Sequence, residues 1–454
     1  MGPPAQAFPR FTETMVDSAA DDPWSTLRRL PMGQEVEIRQ ADGATWRGTL
    51  VPPHDLSGER IIQLKLDNGY NVGIRVDPAD VVHVLASPVE PAAPPVALSA
   101  RSPREAAGEE GWVALLTTGG TIASRVDYRT GGVRPVHEES EILQFYPDID
   151  RDGPVHVVPV FDRLSEDIHP DDWVKIARHV ATAFREGARG VVVAHGTDTL
   201  AFTAAALSFL VENPPGPVVL VGAQRSPDRP SSDGFTNISE AVRLARLPAL
   251  AEVVVVLHAG LSDNRFAVHR GTRVRKMHSS RRDAFESRNG PPIAFIQEKS
   301  VTFVRPPLPR SSEPMKLHDR IDLSGALLWV HPGLDPDRAR AFVDGLRGVI
   351  LAGTGLGHVG TAHLPWIREA VRRGVVVGMT TQCLGGDVDP YVYATGRELL
   401  RAGVLYLNDL LPETAYVKLL WALGESDDPA EVGRLLLTNR AGEFEPRHLL
   451  GEGP

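Results

Sequence analysis

A chain of 454 residues is long enough for two or three domains, because a single core rarely grows past about 250 to 300 residues. Its net charge of −10 and pI near 5.9 argue against a protein that grips nucleic acid by itself, since neutralising phosphates needs a basic face. The single cysteine, Cys383, excludes an intramolecular disulfide and a cysteine-rich zinc site, no apolar run approaches the roughly 18 residues that span a bilayer, and the opening MGPPAQAFPR lacks the layout of a secretory signal, so a cytoplasmic protein is expected.

Residues 1–24 are polar, contain proline, and show no period of two or of 3.6; this stretch is expected to be disordered. The next unit, 25–86, alternates apolar and polar residues in EVEIRQADGATWRGTLVPP and RIIQLKLDNGYNVGIRV. Asp42-Gly43 and Asn68-Gly69 stand where tight hairpin turns belong, which predicts a small antiparallel β-barrel of the SH3-like kind. The proline-containing segment 87–110 has almost no periodic apolar pattern and reads as a semi-stiff linker.

Strand and helix then alternate through GWVALLTTGG, DDWVKIARHVATAFREG, GVVVAHGTDT, LAFTAAALSFLVE and GPVVLVGAQ. Trp173, Ile176, Ala177, Val180 and Phe184 form one helical stripe, and the neighbouring β-branched runs are short enough for strands buried on both faces. The pattern predicts a large α/β domain over 111–310 built on a parallel sheet. A less regular connection, 311–328, leads to RGVILAGTG, LPWIREAVRRG, VVVGMTTQC and PETAYVKLLWALG, which predict a smaller α/β domain over 329–454.

Ligands of open parallel sheets bind beyond the carboxyl ends of the strands. Three clusters fall at such ends: TTGGTIAS, HGTDT and GAQRSPDRPSSDG. Gly119 and Gly120 would let the chain turn sharply and a ligand approach the backbone, with the Thr121 hydroxyl in the same crevice. The plain alternative is a set of ordinary βα turns with hydroxyl helix caps. A threonine hydroxyl needs a base or an electrostatic partner to act as a nucleophile. Thr197 beside Asp198, with Lys276 from HRGTRVRKMHSS, would let a lysine take the hydroxyl proton directly or through water, although Lys276 is one of several cations in its stretch; His195 reads as a turn residue more than as a base. GLGHVG, 355–360, fits G-x-G-x-x-G, but VVVGMTTQC ends without the acidic residue that would hold a ribose. The 15 histidines show no ligand spacing, so no metal is expected.

TGGTIAS, HGTDT, GAQR with SSDG, and the lysine of RVRKMHSS resemble, in the same order, the signature segments of the bacterial-type L-asparaginase and glutaminase family over residues 112 to about 440. That resemblance implies amide hydrolysis through a covalent acyl-threonine with release of ammonia. On its pattern Thr121 is the nucleophile, assisted by Tyr128. Thr197, Asp198 and Lys276 form a second triad, while Gly120, Ser165, Glu166 and Asp198 bind the substrate. His358 lies where ordinary asparaginases tend to carry an asparagine that reaches the neighbouring active site.

LKLDNGYNVGIRV and the later TTQCLGGDVDPYVYATGRELLRAGVL, DLLPETAYVKLLWALG and LLLTNRAGEF are similar to the D-subunit family of the archaeal-type glutamyl-tRNA(Gln) amidotransferase. This resemblance implies a β-barrel ahead of two asparaginase-like α/β domains and a homodimer that hydrolyses glutamine. Ammonia would pass to a separate E subunit, which handles tRNA(Gln), ATP and Mg2+; no cofactor is expected in this chain and no membrane partner. Two other readings stand beside it. A stand-alone L-asparaginase leaves the β-unit unexplained, and an amino-acid sensor without turnover leaves the threonine, aspartate and lysine set unexplained.

Overall fold

In a computed structural model, residues 22–31, 33–51, 60–66, 71–85, 111–119, 124–126, 133–135, 149–225 and 232–445 are described. They divide into two compact units, the first of which holds the N-terminal sheet. Its strands β1 (Glu35–Arg39), β2 (Thr45–Val51), β3 (Ile61–Leu66), β4 (Asn71–Arg75) and β5 (Val81–Val84) pair antiparallel in the order β4-β3-β2-β1-β5. Alternation sends Val36, Ile38, Leu50, Ile62, Leu64 and Ile74 into one small core.

Leu27 of helix α1 (Pro23–Arg29) enters the same core, which corrects the expectation of disorder through residue 24. Proline suits a first helical turn, and one buried leucine gives so short a helix a reason to form. Between β1 and β2, Gly43 takes φ +90° and its N–H donates to the Gln40 carbonyl at 2.9 Å. The Asn68-Gly69 pair and the linker 87–110 lie outside the described residues. Because β4 and β5 occupy opposite ends of the strand order, the described pairings define an antiparallel sheet.

In the second unit β6 (Val113–Thr117) opens the large domain and lies one strand in from an edge of its sheet. Strands β7 (Ser124–Val126) and β8 (Val133–Pro135), which pair as a two-stranded sheet, fall with the first unit as far as Arg134, and β9 (Val155–Pro159) is the next strand of the second. Helix α2 (Pro170–Arg185), strand β10 (Gly190–Ala194), helix α3 (Leu200–Leu210), the short β11 (Val211–Glu212), strand β12 (Val218–Val221), helix α4 (Gly234–Ala245) and strand β13 (Val253–His258) follow. The parallel part of the sheet runs β9-β6-β10-β12-β13. Val191 and Val193 face one core with α2 and α3, whereas Val192 and Ala194 face the other with α4, so β10 is apolar throughout because both its faces are covered.

The sheet is mixed, not wholly parallel as expected. β14 (Arg265–Arg270), β17 (Ala294–Gln297) and β18 (Ser300–Phe303) join β13 antiparallel, with the hairpin β15 (Val274–Lys276) and β16 (Phe285–Ser287) inserted between them in sequence. The segment between β13 and β14 is too short for a crossover helix, and only an antiparallel return can be made by so short a connection.

The connection contributes β19 (Lys316–Leu317), paired with β11. Strands β20 (Gly325–Trp329), β21 (Gly348–Gly353), β22 (Val376–Thr381) and β23 (Leu405–Tyr406) then form a parallel sheet in sequential order, with helices α5 (Pro336–Val343), α6 (Leu364–Arg372) and α7 (Ala394–Arg401) between them. Helices α8 (Pro412–Glu425) and α9 (Pro429–Leu437) close the described fold. The rings of Phe209 on α3 and Trp421 on α8 stack 5.8 Å apart. Helix α3 is apolar on every side because the large sheet covers one face and α8 the other.

Candidate active site

The strand order decides where a crevice can open. From β6 the chain goes to β9 on one side and then to β10 on the other, so the direction of winding reverses between β6 and β10. The carboxyl side of this switch point is the usual ligand position in this topology. TTGG follows β6 and HGTDT follows β10.

The first of these ends is tied down by hydroxyl chemistry. The Thr118 side chain and backbone N–H both donate to the Ala194 carbonyl at the end of β10, at 3.0 and 3.1 Å. Gly119 then turns with φ +90°, and a Cβ there would stand 2.6 Å from the backbone N and O of Arg163. What comes close to the glycine backbone is therefore the segment after β9. Gly120, Thr121 and Tyr128 lie outside the described residues.

That neighbouring segment carries Ser165 and Glu166 on a single 3-10 turn, Ser165–Asp167. Arg163 reaches forward to Asp172 at 2.7 Å, and the same carboxylate accepts from the His169 N–H at 3.0 Å and from Lys175 at 2.9 Å. Burial alone would raise the Asp172 carboxyl, but the Lys175 and backbone hydrogen bonds and the two nearby cations hold it below the ordinary carboxylate range. The turn is thereby braced against the start of α2. Ser165 is buried, and its Oγ donates to the Gly196 carbonyl at 2.8 Å while accepting from the Thr199 N–H at 3.0 Å. Thr199 returns a hydrogen bond from its hydroxyl to the Ser165 carbonyl at 2.7 Å. Gly196 has no side chain because a Cβ would lie 2.6 Å from Ser165 Cβ. Glu166 is exposed beside this latch.

Within HGTDT the first three residues are buried and exposure begins at Asp198. His195 is wholly buried, Thr197 is 8 % exposed and the Asp198 side chain is 64 % exposed. The His195 Nδ1 lies 2.6 Å from the Gly196 carbonyl and its Nε2 lies 2.9 Å from Thr203 Oγ1 on α3. Burial pushes this imidazole down to about 4, against a smaller upward effect of the Gly196 contact, so the ring is neutral at physiological pH. It is a buried histidine at the start of the turn that leaves β10.

Lys276 reaches the turn from β15. Val274, two residues earlier, is buried in the core, and Arg275 pairs with Glu413 at 3.1 Å, so the strand end is anchored before the lysine. The Lys276 ammonium donates to Thr197 Oγ1 at 2.8 Å and to Asp198 Oδ1 at 2.7 Å. Its side chain is 13 % exposed; Arg270 and Arg273 of the same stretch are also buried but pair with Glu252 and Asp409, so the contact with Thr197 is what sets Lys276 apart. A lysine so placed can withdraw charge from the threonine oxygen as an ammonium and accept the hydroxyl proton once it has given up its own.

Comparison with known proteins bears on what this geometry belongs to. Residues 112–309 match the family described as Asparaginase, N-terminal, residues 326–436 the Glutaminase/Asparaginase C-terminal domain, and residues 30–85 the GatD N-terminal domain. The chain is 45% identical over 423 residues to the D subunit of glutamyl-tRNA(Gln) amidotransferase from Saccharolobus solfataricus, covering 92% of this chain and 94% of that one. The chain belongs to the D-subunit family of glutamyl-tRNA(Gln) amidotransferases. The D subunit of Pyrococcus furiosus is likewise 45% identical, over 415 residues that cover 90% of this chain and 93% of that one. Among solved structures, the thermostable L-asparaginase of Thermococcus kodakarensis superposes with a TM-score of 0.68 at 35% identity, covering 74% of this chain and all of that one.

In this member of the D-subunit family the third strand end is a structural knot. Asp233, wholly buried, accepts from the backbone N–H groups of Gln224 and Arg225 at 3.0 Å and from Asn237 Nδ2 at 3.1 Å, closing the loop that leaves β12. Residues 226–231 of that loop lie outside the described residues. GLGHVG is no phosphate loop: after β21 the Thr354 N–H bonds to the His358 carbonyl at 2.9 Å, and a 3-10 turn separates this tight reversal from α6. His358 packs edge-on against Tyr393 at 5.1 Å, and burial pushes its imidazole below the ordinary value against a smaller upward effect of Asp389. No group of three or more residues able to hold a metal occurs among the described residues, and no described helix is long and apolar enough to cross a membrane. Thr118, Arg163, Asp172, Thr199 and Thr203 were not singled out in the sequence. Thr118 and Thr199 carried a signal as members of TTGGTIAS and HGTDT; Arg163, Asp172 and Thr203 act through contacts that no motif spacing shows.

Proposed function

We propose that this chain is the glutaminase subunit of a tRNA-dependent amidotransferase. The observation that carries the reading is the Lys276 ammonium held between Thr197 and Asp198 at 2.8 and 2.7 Å beside the reversal point of the sheet. The near full-length similarity to amidotransferase D subunits selects glutamine and ammonia transfer from among amide hydrolyses. In the proposed reaction Thr121 Oγ, assisted by Tyr128, attacks the side-chain amide carbon of glutamine. The amide nitrogen leaves as ammonia after receiving a proton, and water then cleaves the acyl-threonine to glutamate. Gly120 and Ser165 border the substrate, while Glu166 and Asp198 offer carboxylates to its α-ammonium. Thr197, Asp198 and Lys276 handle the protons.

The same reading makes the chain a cytoplasmic homodimer. It delivers ammonia to a partner, the E subunit, that carries tRNA(Gln), ATP and Mg2+ and converts Glu-tRNA(Gln) to Gln-tRNA(Gln). It also divides the chain at 25–86, 111–310 and 329–454, with the N-terminal sheet curled into an SH3-like barrel. A stand-alone L-asparaginase is the second reading, favoured by a solved asparaginase that aligns over its whole length with 74% of this chain. Ammonia release from glutamine and asparagine, by the purified chain alone and then with the E subunit, ATP and glutamyl-tRNA(Gln), separates the two. Strong stimulation by the full mixture is expected; rapid asparagine hydrolysis by the lone chain, indifferent to the additions, would replace the first reading with the second.

A further inference from the structure

We propose that His195 is a positioning residue that sets the Gly196–Thr197 peptide, and through it the Thr197 hydroxyl against Lys276; this rests on the amidohydrolase reading of the site. A carbonyl oxygen only accepts, so the 2.6 Å contact with Gly196 places the imidazole proton on Nδ1. The other nitrogen then accepts from Thr203 Oγ1 at 2.9 Å, which fixes the ring from the α3 side. The Gly196 carbonyl thus receives two donors, His195 Nδ1–H and, at 2.8 Å, Ser165 Oγ–H. A glycine peptide has little conformational preference of its own, and here that freedom is restrained by two side chains, one from the adjacent residue and one from the turn after β9.

The next residue is Thr197, whose hydroxyl must meet Lys276 within hydrogen-bond reach. His195 itself is sealed from solvent and its burial keeps it uncharged, so it neither touches substrate nor exchanges protons with it. Its influence on turnover passes through the peptide alone. Ser165 performs the companion task from the turn after β9, which links the substrate-facing turn to the proton-handling turn through one carbonyl oxygen.

The test uses the full chain assembled with its partner subunit and supplied with glutamine. His195→Asn keeps an N–H near the Nδ1 position and is expected to retain most of kcat, whereas His195→Gln reaches toward Thr203 instead and loses kcat by on the order of 10²-fold with KM little changed. In a Thr197→Ala background the same His195→Gln change is expected to add almost nothing, because the two act in series. Equal losses for Asn and Gln, or a full additional loss in the Thr197→Ala background, would reduce His195 to ordinary core packing. Nitrogen-15 NMR of the histidine-labelled full chain supplies a readout that needs neither substrate nor a substituted protein. A neutral, Nδ1-protonated ring is expected, and an Nε2-protonated or charged ring would overturn the inference. Absence of ammonia release by the wild-type assembly would instead sink the glutaminase reading and leave the tautomer result standing.

Discussion

HGTDT and GTGLGHVG both leave a buried parallel strand through a glycine-rich turn, yet they end up chemically different. The first lies beside a strand where the winding of the sheet reverses; two distant elements supply Ser165 and Lys276 to it, and the helix that follows it supplies Thr203. The second leaves a sheet whose four strands follow in simple order, and its turn closes on itself through Thr354 and His358. A glycine turn at a strand end is therefore only an opportunity. It becomes a site where the winding of the sheet reverses and the fold delivers a charge from elsewhere.

The comparison is broken most directly at Lys276. Lys276→Met is expected to lower kcat for glutamine by about 10² to 10⁴-fold, the usual range for a proton-transfer group, with little change in thermal midpoint. An unchanged kcat would mean that the HGTDT turn is as inert as GTGLGHVG. Gly119→Ala should come next. Its new Cβ would meet the Arg163 backbone at 2.6 Å, and the cost is expected near ~1–3 kcal/mol in denaturant unfolding, with the distortion passed to the Ser165 turn; full stability would disprove the close approach.

Asp172→Asn sharpens the role of bracing and is expected to cost about 1 kcal/mol, the typical worth of a helix cap. The native Asp172 carboxyl sits below its unfolded value, so its stabilisation is present above the ordinary carboxylate range and is lost as pH falls through the lower, folded value. The variant should accordingly show a weaker loss of stability on acidification, read from unfolding midpoints across that range. Thr354→Ala is expected to do least: stability within about 0.5 kcal/mol and kcat unchanged, since its hydroxyl contact with the His358 carbonyl is exposed and long at 3.2 Å. A large loss of turnover there would show that the second turn takes part in catalysis after all.

Much of this was legible in the chain before any fold was known. The stripe Trp173, Ile176, Ala177, Val180 and Phe184 is buried throughout, and GVVVA is a strand covered on both faces. These are local patterns read at periods of 3.6 and about one. By pattern Lys276 was only one cation in a basic stretch, and the family resemblance alone singled it out, because its separation from Thr197 by 79 residues leaves no periodic trace. Helix α1 was missed since a seven-residue element has too few turns to display a stripe. The antiparallel strands β14, β17 and β18 were missed because β-branched runs look alike whichever way they are paired.

By itself the sequence determined the strongly patterned strands and helices, the glycines at the strand ends and the motifs that mark the family, because side-chain alternation and steric need act over a few residues. Tertiary structure decided where the winding of the sheet reverses, that α8 covers α3, that Ser165 and His195 share one carbonyl, and that a single lysine of a basic stretch meets Thr197. Those outcomes depend on which distant segments pack together, and packing is settled by the burial of whole faces over the entire chain, not by any local window of residues.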